Sequence, residues 1–231
     1  MQVRTLHRWD LSPKEAVALQ QELCARVVTR CEQGAVHTVA GVDVSTAGGR
    51  ARAAVVVLRF PELQPLEAAT ADLPLCYPYV PGLLAFREAP AVLAAVERLR
   101  SEPDLFVFDA HGRAHPRRMG LASHLGLWLE RPSIGCAKSR LCGACAEPGP
   151  RVGDWAALRD GDEVIGAALR TRAGVRPVYV SVGHKIDLDT AMSYILRCVT
   201  RYRLPEPIRW AHGVAGGSPV AGYRFPVSSS V

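Results

Sequence analysis

Phe106-Val107-Phe108-Asp109-Ala110-His111-Gly112-Arg113-Ala114-His115-Pro116-Arg117-Arg118-Met119-Gly120 is the stretch on which the reading of the chain turns. Leu105 to Phe108 is an unbroken apolar run, the pattern of a strand buried on both faces. It ends on an acid, Asp109, and a carboxylate there is costly unless positive charge lies nearby. His111, Gly112, His115 and the Arg117–Arg118 pair follow at once, a setting suited to a phosphate-bearing substrate. The rest of the chain can be read by asking what else converges on Asp109.

Around this stretch the pattern is α/β. Ser12-Pro13-Lys14-Glu15 has the form of a capping box with proline at the first helical position, and predicts a packing helix over 13–32. Strands are expected at 37–44, 51–60 and 66–73, with Thr46-Ala47-Gly48-Gly49 turning the first hairpin. A helix is expected to begin within 84–90 and run to Arg100, with Pro90 confined to its first turn and Glu88 near its start. After the Asp109 strand come a helix at 119–129, a short strand at 133–137, a Pro/Gly loop at 146–153, strands at 164–170 and 177–182, and a helix at 187–199. No repeat or linker divides the chain. The expected organisation is one domain over 1–212, with 213–231 as a mobile tail rich in Gly, Ser and Pro.

This order closes most simply as a three-stranded antiparallel meander joined to parallel strands, with helices on both faces. The Asp43 and Asp109 strands can then lie parallel and adjacent, with both acids at carboxyl ends, the edge where α/β sheets place their sites. Asp43 reads equally as a half-buried site acid or a solvated turn acid, and Glu88 as a site acid or a charge at a helix N-terminus. If all three gather, their repulsion calls for a hard divalent cation, Mg²⁺ first and Mn²⁺ second. Lys138, leaving the next strand at the same edge, can neutralise charge building on a phosphate. The chain has only three lysines, Lys14, Lys138 and Lys185, so a compact ammonium where arginine is habitual is informative. The loop Leu75-Cys76-Tyr77-Pro78-Tyr79-Val80-Pro81-Gly82 is stiffened by two prolines. It reads either as a wedge carrying an exposed tyrosine or as a connection packed on the core.

Composition sets outer bounds. A net charge of +6 favours an anionic partner, nucleic acid foremost. Seven cysteines cannot all pair, no N-terminal stretch has the pattern of a signal peptide, and no apolar run has bilayer length. The expectation is a cytoplasmic protein with free thiols and no membrane partner.

Taken in order, Gly41-Val42-Asp43, Pro78-Tyr79-Val80-Pro81-Gly82, Phe86-Arg87-Glu88, Asp109-Ala110-His111-Gly112, His115-Pro116-Arg117-Arg118, Gly120, Ala122-Ser123-His124, Gly135, Lys138, Arg140-Leu141-Cys142-Gly143 and Tyr202-Arg203-Leu204-Pro205-Glu206-Pro207 resemble the endonuclease V family of deoxyinosine-directed repair nucleases. The resemblance implies a ribonuclease H-like fold. It implies metal-binding acids at Asp43, Glu88 and Asp109, a catalytic lysine at Lys138 and a further polar group near the metal at His212. It places a DNA wedge at Pro78, Tyr79, Val80 and Pro81, and a pocket for the flipped base at Gly82, Leu84, Gly135 and Leu141, with His115 close by. Cleavage is expected at the second phosphodiester 3′ to the lesion, leaving a 3′-hydroxyl and a 5′-phosphate. Ala110 departs from the glycine usual in the family, and its methyl is expected to narrow that pocket. Arg87, Arg117, Arg118 and Arg140 are our own expectations for phosphate contacts.

The expected partner is DNA containing deoxyinosine or another deaminated base, bound by a monomer. One rival keeps the chemistry and changes the substrate to inosine-containing RNA or mismatched or branched DNA. A remoter one takes Cys136, Cys142 and Cys145 as part of a zinc-dependent binding module without activity, although a fourth ligand is missing from the pattern.

Overall fold

In the computed structural model, described here for all residues except Gln2, Arg4, Gln33 and 218–231, the Leu105–Phe108 strand lies inside an eight-stranded sheet with all four side chains buried. The strands are β1 Thr38–Ala47, β2 Arg50–Arg59, β3 Pro65–Pro74, β4 Leu105–Phe108, β5 Ser133–Ala137, β6 Trp155–Asp160, β7 Glu163–Leu169 and β8 Val178–His184. They are arranged β3-β2-β1-β4-β5-β8-β7-β6. The first three form the expected antiparallel meander, and β4 runs parallel to both β1 and β5. The far edge, β8-β7-β6, is antiparallel. Sequence pattern does not announce β6 because this edge strand buries only Leu158, leaving no alternation to read.

Helices cover both faces. On one, α2 (Leu84–Glu97) and α3 (Leu121–Leu129) pack Ala89, Val92, Val96 and Leu125 on Val42, Val55, Phe106 and Phe108. On the other, α4 (Leu188–Arg197) and α5 (Glu206–Ala215) pack Met192, Ile195, Ile208 and Ala211 on Val39, Val56, Leu105 and Val107. The two residue sets alternate along β1 and β4 as strand geometry requires. α1 (Pro13–Leu23) lies outside this sandwich, with Ala16 against Tyr77, Leu83 and Phe86.

Among the boundaries that differ from expectation, such as β1 running on through Thr46 and Ala47 and α2 ending at Glu97, three have a cause in how the chain packs. α1 begins with the expected Ser12–Glu15 capping box but stops at Leu23, followed by one 3₁₀ turn at Cys24–Arg26. Val27 is extended because the next residues are tied elsewhere: Lys185 N–H donates to the Val28 carbonyl at 2.7 Å, and Val28 N–H to His184 Nδ1 at 3.2 Å. Pro90 lies inside α2 rather than in its first turn. Its missing N–H costs one helical hydrogen bond, outweighed by the buried row Ala85, Ala89, Val92 and Val96. The expected tail at 213–231 starts too early, because α5 continues to Ala215, which is itself buried and anchors the last turn. Residues 218–231 lie outside the described residues.

Candidate active site

Register puts the two acids together. β1 and β4 pair as far as Val42 with Phe108, and the Asp109 N–H donates to the Val42 carbonyl at 3.0 Å. Just beyond this pairing the strands part, and Asp43 and Asp109 face the α5 side. A Cβ at Gly41 would fall inside the Pro207 carbonyl, so α5 seats flush on β1 and brings His212 over the acid. His212 Nδ1 lies 2.7 Å from Asp43 Oδ2. Ligand-type atoms of Asp43, Asp109 and His212 all lie within 4.8 Å of one another. Lys138, one residue past β5, forms an ion pair with Asp109.

Glu88 lies in the second turn of α2 and borders the same cleft, of about 360 Å³, without belonging to that tight trio. Burial, then the charge of Asp43 and to a lesser degree that of Asp109, push its carboxyl up to about 7. Burial also raises Asp109, with Asp43 adding to the effect, while Lys138 pulls the other way. Two carboxyls held above their ordinary range beside a third, with an imidazole adjoining, form a donor set that a hard divalent cation fits. Among the described residues no other group of three His, Cys, Asp or Glu side chains is so gathered. Cys136 lies buried in β5, Cys142 and Cys145 pack against Leu158 and Ile165, and all seven cysteines are free. The zinc-module reading therefore loses its ligand set.

A second cavity, of about 160 Å³ and mostly apolar, adjoins the first. Gly82, Leu84, Ala110, His115 and Leu141 line it, five of the six residues expected there. Gly135 does not. Its α-carbon is pressed against the backbone of 110–112, where a Cβ would collide with Gly112 N and the Ala110 carbonyl. Val80 and Pro81 border the pocket with Tyr79, which is 73% exposed. Leu84, Ala110, His111 and Leu121 border both cavities. Ala110 needs no left-handed backbone, and its buried methyl is part of the core under α2 and α3.

The arginines divide. Arg118, in a left-handed conformation, is bound to Glu163 (2.7 Å), Asp160 (2.9 Å) and the His115 carbonyl (2.9 Å). Arg117 holds Gln20 and the Gly82 carbonyl, and Arg87 the Tyr77 carbonyl. These three brace loops, whereas Arg140 is exposed. The opening stretch is thus basic for an internal reason: Arg118, with Arg113, clamps the Asp109 loop to the β6–β7 turn.

Among the pocket residues not expected from sequence, two carry polar side chains. Gln20 reaches the pocket from α1, the helix whose pattern shows only packing. His111 joins the two cavities, pushed to about 4 by burial and hydrogen-bonded to the Ser139 backbone, with a buried Nδ1 that has no protein partner. An amide in the middle of an amphipathic stripe is the one signal that could have exposed Gln20.

Comparison with known proteins agrees with this geometry. Residues 21–213 match the family model Endonuclease V. Endonuclease V of Roseiflexus sp. (strain RS-1) is 56% identical over 208 residues, which is 90% of this chain and 93% of the relative. The crystal structure of Endonuclease V from Streptomyces avermitilis superposes with a TM-score of 0.86 at 44% identity, over 90% of this chain and 93% of that one. A second structure, Ciona intestinalis Endonuclease V in complex with a 24mer DNA containing an inosine followed by a ribo-adenosine, gives a TM-score of 0.79 at 30% identity, over 88% and 96%. The sheet order and two-sided helix cover are those of the ribonuclease H-like fold. By the extent of the family match and by identity running through nine tenths of its length, this chain belongs to the Endonuclease V family.

Proposed function

We propose that this protein is a repair endonuclease that takes deoxyinosine out of DNA into the apolar pocket and hydrolyses the second phosphodiester on its 3′ side, leaving a 3′-hydroxyl and a 5′-phosphate. The observation that carries the reading is the shared wall. Leu84, Ala110, His111 and Leu121 separate a base-sized apolar pocket from an acid-lined cleft, so a base held in one keeps its own strand beside the other. The inosine-containing DNA bound by the Ciona relative supports the same reading.

Asp43, Asp109 and His212, with Glu88, would hold Mg²⁺, or Mn²⁺ in its place. The cation would supply activation of a water and neutralisation of phosphate charge. The chain supplies the rest. Lys138, half exposed on a flexible stem, offers a positive charge to a non-bridging phosphate oxygen as negative charge builds there. Tyr79 fills the gap left in the stack, backed by Pro78, Val80 and Pro81. A deaminated adenine pairs poorly, so its extrusion costs less than that of a normal base. Arg140 meets the phosphate backbone, while Arg117 and Arg118 hold the loop that forms the pocket. We take residues 1–217 as one domain, acting as a monomer in the cytoplasm. No helix among the described residues is long and apolar enough to cross a membrane.

The ribonucleotide that follows inosine in the Ciona complex favours one second reading, inosine-containing RNA. Both are tested by cutting labelled inosine strands of DNA and RNA side by side with Mg²⁺, each against an adenine control. Cleavage of the inosine DNA alone supports the first reading, and preference for RNA supports the second. Equal cleavage of the adenine controls overturns both. Asp109→Asn should remove cleavage while leaving binding of the inosine strand intact.

A further inference from the structure

Lys138 stands where strand β5 ends. The last pair joining β5 to β8 is Ala137 with Tyr179, and β8 is preceded by Pro177, which has no N–H to extend the ladder. The Lys138 carbonyl is taken by a side chain instead. Arg203 Nη2, from the turn between α4 and α5, donates to the Lys138 carbonyl at 2.6 Å and to the Pro177 carbonyl at 2.8 Å. One nitrogen, with a hydrogen for each oxygen, thus ties the end of β5 to the start of β8.

The turn that carries Arg203 is itself fixed. Thr171 Oγ1 donates to the Arg203 carbonyl at 2.7 Å, and Arg172 Nη1 to the Arg201 carbonyl at 2.9 Å. From Arg203 the chain runs through Pro205 directly into α5, where Pro207 seats on Gly41 and His212 reaches Asp43. Lys138 is held on its other side as well, since the His111 ring is hydrogen-bonded to the Ser139 backbone. The Arg203 Nε is buried with no hydrogen-bond partner among the described residues. Leaving a buried donor unmade costs more than an ordinary hydrogen bond gains, so this placement does not serve the guanidinium itself. What it secures is the pair of carbonyls.

We propose that Arg203 is a positioning residue for Lys138: it fixes the backbone from which the lysine stem springs, and with it the place where the ammonium meets a phosphate. This rests on reading Lys138 as the charge offered to the cleaved phosphodiester. The Lys138 ammonium pairs with Asp109 at the acid end of the cleft, so it has to serve a carboxylate and a phosphate oxygen in turn. A flexible stem supplies no fixed geometry of its own, and the root must supply it. Misplacing a catalytic group by about 1 Å costs on the order of 10²-fold in rate. The same turn leads into the helix that sets His212 over Asp43, so Lys138 and His212 keep one register across the cleft.

The test is a double-mutant cycle on the full-length chain: wild type, Arg203→Met, Lys138→Ala and the double variant. Each is given a labelled inosine DNA strand with Mg²⁺ under single-turnover conditions, and the same strand in EDTA to measure binding. Arg203→Met is expected to slow cleavage by about 10–100-fold, with the Kd of the strand changed by less than about threefold. In the Lys138→Ala background the same substitution should slow cleavage by less than about threefold, because no ammonium is left to place. Hydrogen exchange over residues 136–142 should quicken in Arg203→Met whether or not the lysine is present. Should Arg203→Met fold poorly, Arg203→Gln, which is polar but ends short of both carbonyls, carries the same cycle with the same expectations. A full further loss on top of Lys138→Ala overturns the proposal, as does an unchanged rate or unchanged exchange in a folded variant. A wild type that cuts no inosine strand overturns the functional reading instead, and the exchange measurement then decides alone whether Arg203 holds Lys138.

Discussion

Replacing Glu88 by glutamine should stabilise the metal-free protein at alkaline pH and remove much of its response to a cation. Each pH unit by which a carboxyl is displaced corresponds to about 1.4 kcal/mol. Moving Glu88 from 4.5 to about 7 therefore puts a cost of about 3 kcal/mol on its ionised form in the fold. The sign follows from linkage. The unfolded chain releases this proton near 4.5 and the folded chain near 7, so the contribution of Glu88 to stability is complete below 4.5 and is lost as pH rises through 7. Glutamine resembles the protonated carboxyl at every pH. Guanidinium unfolding in EDTA should find Glu88→Gln more stable than wild type by about 3 kcal/mol at pH 8.5, and by less than half that at pH 5.5. Excess Mg²⁺ should then reverse the order, because binding to the native state stabilises the wild type. A difference that is the same at both pH values, or glutamine destabilising at pH 8.5, would refute the account of the cleft as a set of crowded acids.

Lys138→Ala should lower kcat by about 10²–10³ with the Mg²⁺-induced shift in unfolding temperature retained, and Lys138→Arg should fail to restore it; single-turnover cleavage decides. Tyr79→Ala, at a 73% exposed position, should change stability by less than about 0.5 kcal/mol yet weaken cleavage of inosine in duplex DNA more than in a single strand, where nothing needs prising apart. Equal loss on both substrates would remove the wedge role. Gly41→Ala must displace the Pro207 carbonyl and should cost about 1–3 kcal/mol, together with a weaker divalent-metal response as His212 lifts from Asp43, read by thermal unfolding with and without Mn²⁺. Finally, His111 and His115 are each held near 4 by burial, so their stabilising contribution is complete above about 6.5 and falls as pH drops towards 4. Urea unfolding of Glu88→Gln, which lacks one of the two opposing carboxyls, should show stability falling from pH 7 to pH 5, and a flat profile would count against buried neutral imidazoles.

The parts of this molecule that were legible in its sequence are those where one residue's own chemistry sets its surroundings. Leu105 to Phe108 reads as a doubly buried strand and is one, and Asp109 at its end needs a counter-charge, which Lys138 supplies. Asp43 and Asp109 become neighbours by the ordinary logic of adjacent parallel strands. What stayed hidden depends on partners distant in sequence. Gly213 and Gly216 look like the start of a tail, yet α5 survives because Ile208, Ala211 and Ala215 are buried against β1 and β2. No local pattern reveals that Gly41 clears the way for Pro207, although it is this fit that sets His212 over Asp43. The basic run Arg117–Arg118 misled for a related reason. A guanidinium satisfies carboxylates and carbonyls as readily as phosphates, and Glu163, Asp160 and Gly82 come within its reach only after folding. The same residues that would have been assigned to the ligand instead hold the wall of the pocket, which is built from α1, the 82 turn and the 115–117 loop together.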